Sequence, residues 1–366
     1  GELWKVSGNP EDLHSGGRLC TRGTGGQGAY LDPDRLKKPL MRVTVDGRQT
    51  FEEVSWDEAL NYIAQKMRSI AETAGPERFL MLNHGAGSSH FRHLLRAYGS
   101  DSRAEPAFAQ CRGPRDVGFR LTVGESASSP ERTDMANARC IVLIGSHIGE
   151  NLHNGQVQTL AEALNKDVTL ITVDPRFSVP AGKSKHWLPI KPGTDMALLL
   201  AWMHVLIEEE LYDKDYIERY TIGFEQLARH VRDYTPEGVY LETGIKPDMI
   251  RETAREMAKA APATVVHPGR HATWYGDDTQ RSRAIAMLNV LLGSWNREGG
   301  FFIPERVSLP NFPLPSYPEP KAKTADAYPG KWPFASQGVT NGVIDASIGD
   351  DAFFKGWLVY GTNLPQ

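Results

Sequence analysis

Residues 140–176 read CIVLIGSHIGENLHNGQVQTLAEALNKDVTLITVDPR, and this stretch decides the fold. An apolar run at 140–144 stops at Gly145-Ser146, helical spacing follows over 157–164, and a second apolar run at 168–173 stops at Asp174-Pro175-Arg176. Strand, helix and strand at this spacing make a βαβ unit, which favours a parallel sheet with right-handed crossovers. Glycine at the end of a buried strand lets a ligand approach the backbone closely. Open parallel sheets bind ligands outside that edge.

The same ending recurs on either side. Leu80-Met81-Leu82 runs into His84-Gly85-Ala86-Gly87, Val265-Val266 into His267-Pro268-Gly269-Arg270, and Leu358-Val359-Tyr360 into Gly361-Thr362-Asn363. Strands at opposite ends of the chain, 78–82 and 357–360, are expected to share one sheet. Ser55-Trp56-Asp57-Glu58 is a capping box that opens a helix over about 56–73, with apolar residues at helical spacing. Further helices are expected at 90–98, 111–123 and 282–292. A helix over 196–210 is apolar almost all round and therefore buried, with Asp195 as its N-cap. Residues 213–260 hold two or three more helices, and 264–266 a strand. Residues 1–50 read as irregular, with extended pieces at 3–6 and 41–45, and the proline- and aromatic-rich 302–340 as a connection.

With 366 residues, 40% hydrophobic and 23% charged, the chain has the balance of a soluble protein of two or three domains. A net charge of −4 disfavours a general nucleic-acid-binding surface. Cysteines at 20, 111 and 140 form neither a disulfide framework nor a complete zinc site. The longest apolar run, 196–203, is too short to cross a bilayer. Gly1 begins abruptly and Gln366 follows directly on a strand–loop signal, so both ends read as cuts through a larger protein.

Several residues could carry chemistry. At a strand tip Asp174 suits a ribose and Arg176 a phosphate, although Asp-Pro also simply opens a turn. The first strand of the unit lacks Gly-x-Gly-x-x-Gly, which argues against ordinary NAD binding. Gly145, Ser146, Glu150 and Asn151 instead offer backbone and polar side-chain donors. In Pro192-Gly193-Thr194-Asp195 the carboxylate could accept from N1–H and the 2-amino group of guanine, or could serve only as a helix cap. Cys111, with Arg112 and Arg115 nearby, is either a thiolate that attacks or binds a soft metal, or a small buried hydrophobe. Cys140 opens a buried strand and reads as structural. Cys20, in a glycine-rich loop with flanking cations, suits an iron–sulfur ligand, but no partner cysteine is near. His267, Arg270 and His271 could hold an anionic group or stand in a solvated loop.

In order along nearly the whole chain, these motifs resemble the molybdopterin oxidoreductases of the dimethyl sulfoxide reductase family. The match runs through Gly8-Asn9-Pro10, the glycine–cysteine stretch at 17–23, Asp32-Pro33-Asp34-Arg35 and the capping box at 55–58. It continues through Val173-Asp174-Pro175-Arg176, Pro192-Gly193-Thr194-Asp195, Leu288-Asn289 with Gly293, Gly299-Gly300 and Tyr360-Gly361-Thr362-Asn363. The resemblance implies a multi-domain α/β fold with Rossmann-like parallel sheets, here without the N-terminal cluster cysteines and the C-terminal β-barrel domain. Its expected parts are a remnant of an iron–sulfur domain at 1–50, a discontinuous α/β domain at 51–135 plus 340–366, and a nucleotide-binding α/β domain at 136–339.

The resemblance further implies molybdenum held by two pterin guanine dinucleotides, with Cys111 as protein ligand to the metal. Cys20 would be the fourth ligand of a [4Fe-4S] cluster whose other ligands lie upstream, with Arg22 between cluster and pterin. Asp174 and Asp195 fall on nucleotide-binding acids; Gly145, Ser146, Glu150, Gly361, Thr362 and Asn363 fall on cofactor-contacting loops. The stretch from His267 to Asp278 is most like catalytic subunits of polysulfide and thiosulfate reductases, with Arg270 and His271 steadying a small inorganic anion. Arsenate, tetrathionate and formate enzymes, and a scaffold subunit that has lost the cofactor, are the alternatives. The implied setting is the periplasmic side of a membrane. There an iron–sulfur electron-transfer subunit and a quinone-reactive membrane anchor would accompany the chain.

Overall fold

The computed structural model describes residues 2–13, 15–85, 89–106, 112–128, 131–146, 148–149, 154–269, 277–303, 313, 315–320 and 340–362. In chain order its elements are α1 (Thr21–Thr24), α2 (Gly26–Leu31), β1 (Leu40–Val45), β2 (Arg48–Glu53), α3 (Trp56–Thr73), β3 (Phe79–Asn83), α4 (Ser89–Tyr98), β4 (Arg103–Ala104) and α5 (Gly113–Val123). Next come β5 (Cys140–Ile144), α6 (Asn154–Leu164), β6 (Thr169–Val173), β7 (His186–Leu188), α7 (Asp195–Glu208), α8 (Lys214–Tyr220), α9 (Phe224–Val231), α10 (Tyr240–Thr243) and α11 (Pro247–Ala260). The series closes with β8 (Thr264–Val266), α12 (Asp278–Leu291), α13 (Thr340–Asp345) and β9 (Gly356–Tyr360). The chain forms two compact units, Gly1–Thr24 with Cys111–Ser308, and Gly25–Gln110 with Leu309–Gln366.

The first unit is built on a parallel sheet of order β7-β6-β5-β8. The βαβ unit read from sequence is its centre, with β5 and β6 in register from Cys140↔Thr169 to Ile144↔Val173. All five β5 residues are buried, so the strand carries no alternation. The chain steps outward from β5 to β6 to β7 and then returns to the other side of β5 as β8. That reversal places a topological switch point between β5 and β8, where open α/β sheets bind ligands.

Helix α7 is buried along nine of its residues, as its all-round apolar character predicts, and Trp202 donates to Thr253 Oγ1 at 2.9 Å. Its start corrects one expectation. Thr194 is the N-cap and makes no side-chain capping bond, while Asp195 is the first helical residue. Helix α5 lies against α12 at close range: a Cβ on Gly118 would come within 2.7 Å of Thr279 O and of Ser282 Cβ. Residues 213–260 hold four helices, one more than expected at most.

The second unit contains a parallel sheet of order β4-β3-β9, which pairs the expected strands from the two ends of the sequence, Phe79↔Gly356 to Asn83↔Tyr360. Alternate β3 residues face two small cores, Leu80 and Leu82 toward Val343 and Phe354, Phe79 and Met81 toward Leu95. The capping box of α3 is present. Glu58 N donates to Ser55 Oγ at 3.2 Å, and Ser55 N donates to Glu58 Oε2 at 2.8 Å. The segment read as irregular contains a hairpin, β1 with β2, turned by Asp46-Gly47 at φ 50° and 76°. Among the described residues no helix is long and apolar enough to cross a membrane.

Candidate functional site

The site is the C-terminal edge of the four-stranded sheet. Gly145 follows β5 at φ 55°, and its N–H donates to Val173 O at 2.9 Å, tying the first loop to the end of β6. Ser146 is buried beside it. Beyond β6, Asp174 is 8% exposed, and its Oδ1 accepts from the Arg176 amide at 2.9 Å. Its carbonyl accepts from Trp187 Nε1 at 2.9 Å, and Phe177 meets the Trp187 ring edge-on at 4.9 Å. The turn opened by Asp-Pro is therefore real. It engages Oδ1 of the carboxylate.

Gly193 turns at φ 83° and delivers Asp195 to the start of α7. Burial pushes the Asp195 carboxyl above its ordinary range; the Arg281 charge and its own amide pull the other way, more weakly. Beyond β8, Gly269 has φ 62°, and a Cβ there would lie 2.8 Å from Ile144 O. The loop after β8 thus passes directly over the end of β5, at the switch point.

Under this edge lies a buried polar network. Arg115, fully buried, pairs with Glu131 and donates to Gly269 O at 3.1 Å and Ser128 O at 2.6 Å. Gln156 Nε2 donates to Glu131 Oε2 at 2.9 Å and lies 3.4 Å from His267 Nε2. The Gly269 amide donates to His267 Nδ1 at 3.1 Å. Arg112 pairs with Asp116 at 3.2 Å. Both arginines beside Cys111 therefore have carboxylate partners, which weakens the argument that they favour a thiolate there. His267 is 2% exposed and belongs to this scaffold, not to a solvated loop.

Asn289, one of the matched motif residues, proves structural. Its side chain accepts from Val266 N at 3.0 Å and donates to Val266 O and Ile285 O at 2.9 Å, completing the strand-free but buried edge of β8. Gly299 and Gly300 are likewise close-approach positions, where a Cβ would meet Ala263 Cβ at 2.6 Å and Ser294 O at 2.0 Å. Cys140 is buried, and desolvation drives its thiol far above the normal range, as a structural cysteine requires.

At Cys20 the amides of Gly23 and Arg22 hold the thiol below its usual value. In the second unit Gly361 follows β9 at φ 66°, and a Cβ there would strike His84 O at 2.3 Å; Thr362 comes next. Cys111, Glu150, Asn151, Arg270, His271 and Asn363 lie outside the described residues. Among the described residues no cluster of three His, Cys, Asp or Glu could hold a metal.

The site's polar inventory fits a nucleotide-bearing group. Left-handed glycines end two strands and precede α7, Asp174 is buried at the tip of β6, and Asp195 is desolvated. The buried Ser178 Oγ and all three guanidinium nitrogens of Arg281 have no hydrogen-bond partner, so the folded chain leaves donors there for something else.

Comparison with known proteins agrees with this chemistry. The molybdopterin oxidoreductase family matches residues 35–312. The thiosulfate reductase molybdopterin-containing subunit of Salmonella typhimurium is 33% identical over 97% of this chain and 48% of its own length. A dimethyl sulfoxide reductase of Escherichia coli is 30% identical over 80% of this chain and 40% of its own length. The solved acetylene hydratase from Pelobacter acetylenicus superimposes with a TM-score of 0.66 at 29% identity, covering 77% of this chain and 38% of that one. The chain spans about half the length or less of these relatives.

Proposed function

The chain belongs to the molybdopterin oxidoreductase family, and from that premise we propose that it is the catalytic part of an enzyme carrying molybdenum on two pterin guanine dinucleotides. The observation that carries this reading is the glycine-ended sheet edge with its desolvated Asp195 and unpartnered buried donors. Such a cofactor supplies two-electron chemistry at the metal; the protein binds it, orients it and sets its electrostatic surroundings. In this reading Asp174 accepts from a ribose hydroxyl, and Arg176 faces a phosphate. Asp195 accepts from N1–H and the 2-amino group of guanine, which restores the hydrogen bonding that burial removed. Gly145, Ser146 and Gly193 let the dinucleotide approach the backbone, with Glu150 and Asn151 beyond. By family resemblance Gly361, Thr362 and Asn363 are assigned to a cofactor-contacting loop. Cys111 ligates the metal, and Cys20 is one ligand of a [4Fe-4S] cluster, with Arg22 on the electron path.

For the reaction we propose reduction of a sulfur–sulfur bond in polysulfide or thiosulfate, with Arg270 and His271 holding the anion. The 33% identity to a thiosulfate reductase subunit supports this choice. Electrons come from a quinol through an iron–sulfur subunit and a membrane anchor, on the periplasmic side. Turnover of the purified subunit tests the choice, with reduced viologen as electron donor for polysulfide, thiosulfate, arsenate and tetrathionate, and oxidised viologen as electron acceptor for formate. Activity on the first two supports it, whereas activity confined to formate or arsenate sinks it.

A further inference from the structure

Arg281 sits in the first turns of α12, is 5% exposed, and has no hydrogen-bond partner on Nε, Nη1 or Nη2. A buried guanidinium with none of its donors used is expensive, because desolvation of a cation is repaid only by paired, hydrogen-bonded surroundings. Two carboxylates act on it through space, Asp195 and Asp278. Whatever completes this site must therefore offer acceptors to Arg281 while tolerating two nearby negative charges. A phosphate is poorly suited, since the cluster's formal charge is already negative before an anion arrives. A neutral base edge suits it well.

Guanine has the required pattern. Its N1–H and 2-amino group are donors, its O6 and N7 are acceptors, and O6 lies directly beside N1. A carboxylate and an arginine that act on each other can engage these neighbouring groups together, and arginine to O6 and N7 is a favoured bidentate contact. Adenine fails at the same place, because its 6-amino group turns a donor toward the arginine. We propose that Arg281 reads the O6/N7 edge of the cofactor's guanine while Asp195 reads N1–H and the 2-amino group, so that the pair selects the base. The inference rests on the cofactor reading above and adds Arg281 as a specificity residue.

Nucleotide binding to the cofactor-free chain and cofactor content of the loaded protein test it together. Arg281→Met removes the cation that acts on Asp195 and Asp278, so a lower thermal midpoint of the cofactor-free chain is expected, and the fold of the variant is checked by circular dichroism before binding is measured. The substitution should weaken GDP binding by about tenfold or more, the scale of a bidentate guanine contact, while weak ADP binding stays as it was. Guanine nucleotide recovered from the loaded variant should fall in step. Arg281→Lys keeps the charge but loses the fork, and should also lose most of the preference for GDP over ADP. Should Arg281→Met fail to fold, the lysine variant decides alone. Unchanged GDP preference in the variants, in a protein whose wild type carries the cofactor, overturns the inference and spares the function. A wild type with neither pterin nor GDP affinity overturns both.

Discussion

Asp195 carries opposite instructions for stability and for binding. Its carboxyl is raised from the ordinary 3.8 first by burial, so in the cofactor-free chain its ionisation opposes folding. For a group raised in the folded state, the contribution to stability is full below the unfolded value. It is lost as pH rises through the folded one. Asp195→Asn should therefore stabilise the cofactor-free chain at pH 7 and leave it unchanged near pH 3, read by urea denaturation at both. The same variant should hold less guanine nucleotide. An asparagine protein that is no more stable at pH 7, or that retains full nucleotide, contradicts the assignment. Asp174 and Asp195 could be found from sequence because local pattern fixes them, one at a strand tip and one at a helix start. Glu131, Gln156 and Arg281 could not, since their surroundings come from distant segments; Arg115 and Gly269, joined by a hydrogen bond, are 154 residues apart.

At the scale of elements, β8 is a short edge strand, three residues long and supported on one side by the Asn289 side chain. Asn289→Leu leaves the Val266 N–H and C=O buried without partners and should cost about 2–6 kcal/mol in urea denaturation, from roughly 1–3 kcal/mol per unsatisfied group. It should also speed hydrogen exchange at the Val266 amide, whereas a neutral substitution would show that α12 does not hold the strand. The capping box of α3 makes a separate forecast. Glu58 is lowered from 4.5 by the Ser55 amide first and then its hydroxyl, so the stability it adds is present above that value. That stability fades as pH falls through the lowered one. Ser55→Ala should flatten this acid-side slope and cost about 1 kcal/mol at neutral pH, the usual worth of such a cap. Long elements such as α3 and α7 were readable from their period. The three-residue β7 was not, because its middle residue is Trp187 and its first is His186, which carry no strand alternation over so short a run.

For the whole molecule, four glycine-ended strands resolve into two parallel sheets, one in each unit. The crossover order places a switch point between β5 and β8, and the loop carrying Gly269 over Ile144 O occupies it. Strand order was beyond the reach of sequence pattern, since β5, β6 and β8 look alike until their partners are known. The family assignment implies a molybdenum–pterin cofactor, and the central proposal is that the sheet edge holds it in its guanine dinucleotide form. The most direct test is elemental and nucleotide analysis of the wild-type protein purified from a molybdenum-replete host, alongside Cys111→Ser. The account predicts stoichiometric molybdenum with guanine nucleotide in the wild type and a large loss of activity in the variant. Wild-type protein free of both molybdenum and guanine nucleotide would contradict it.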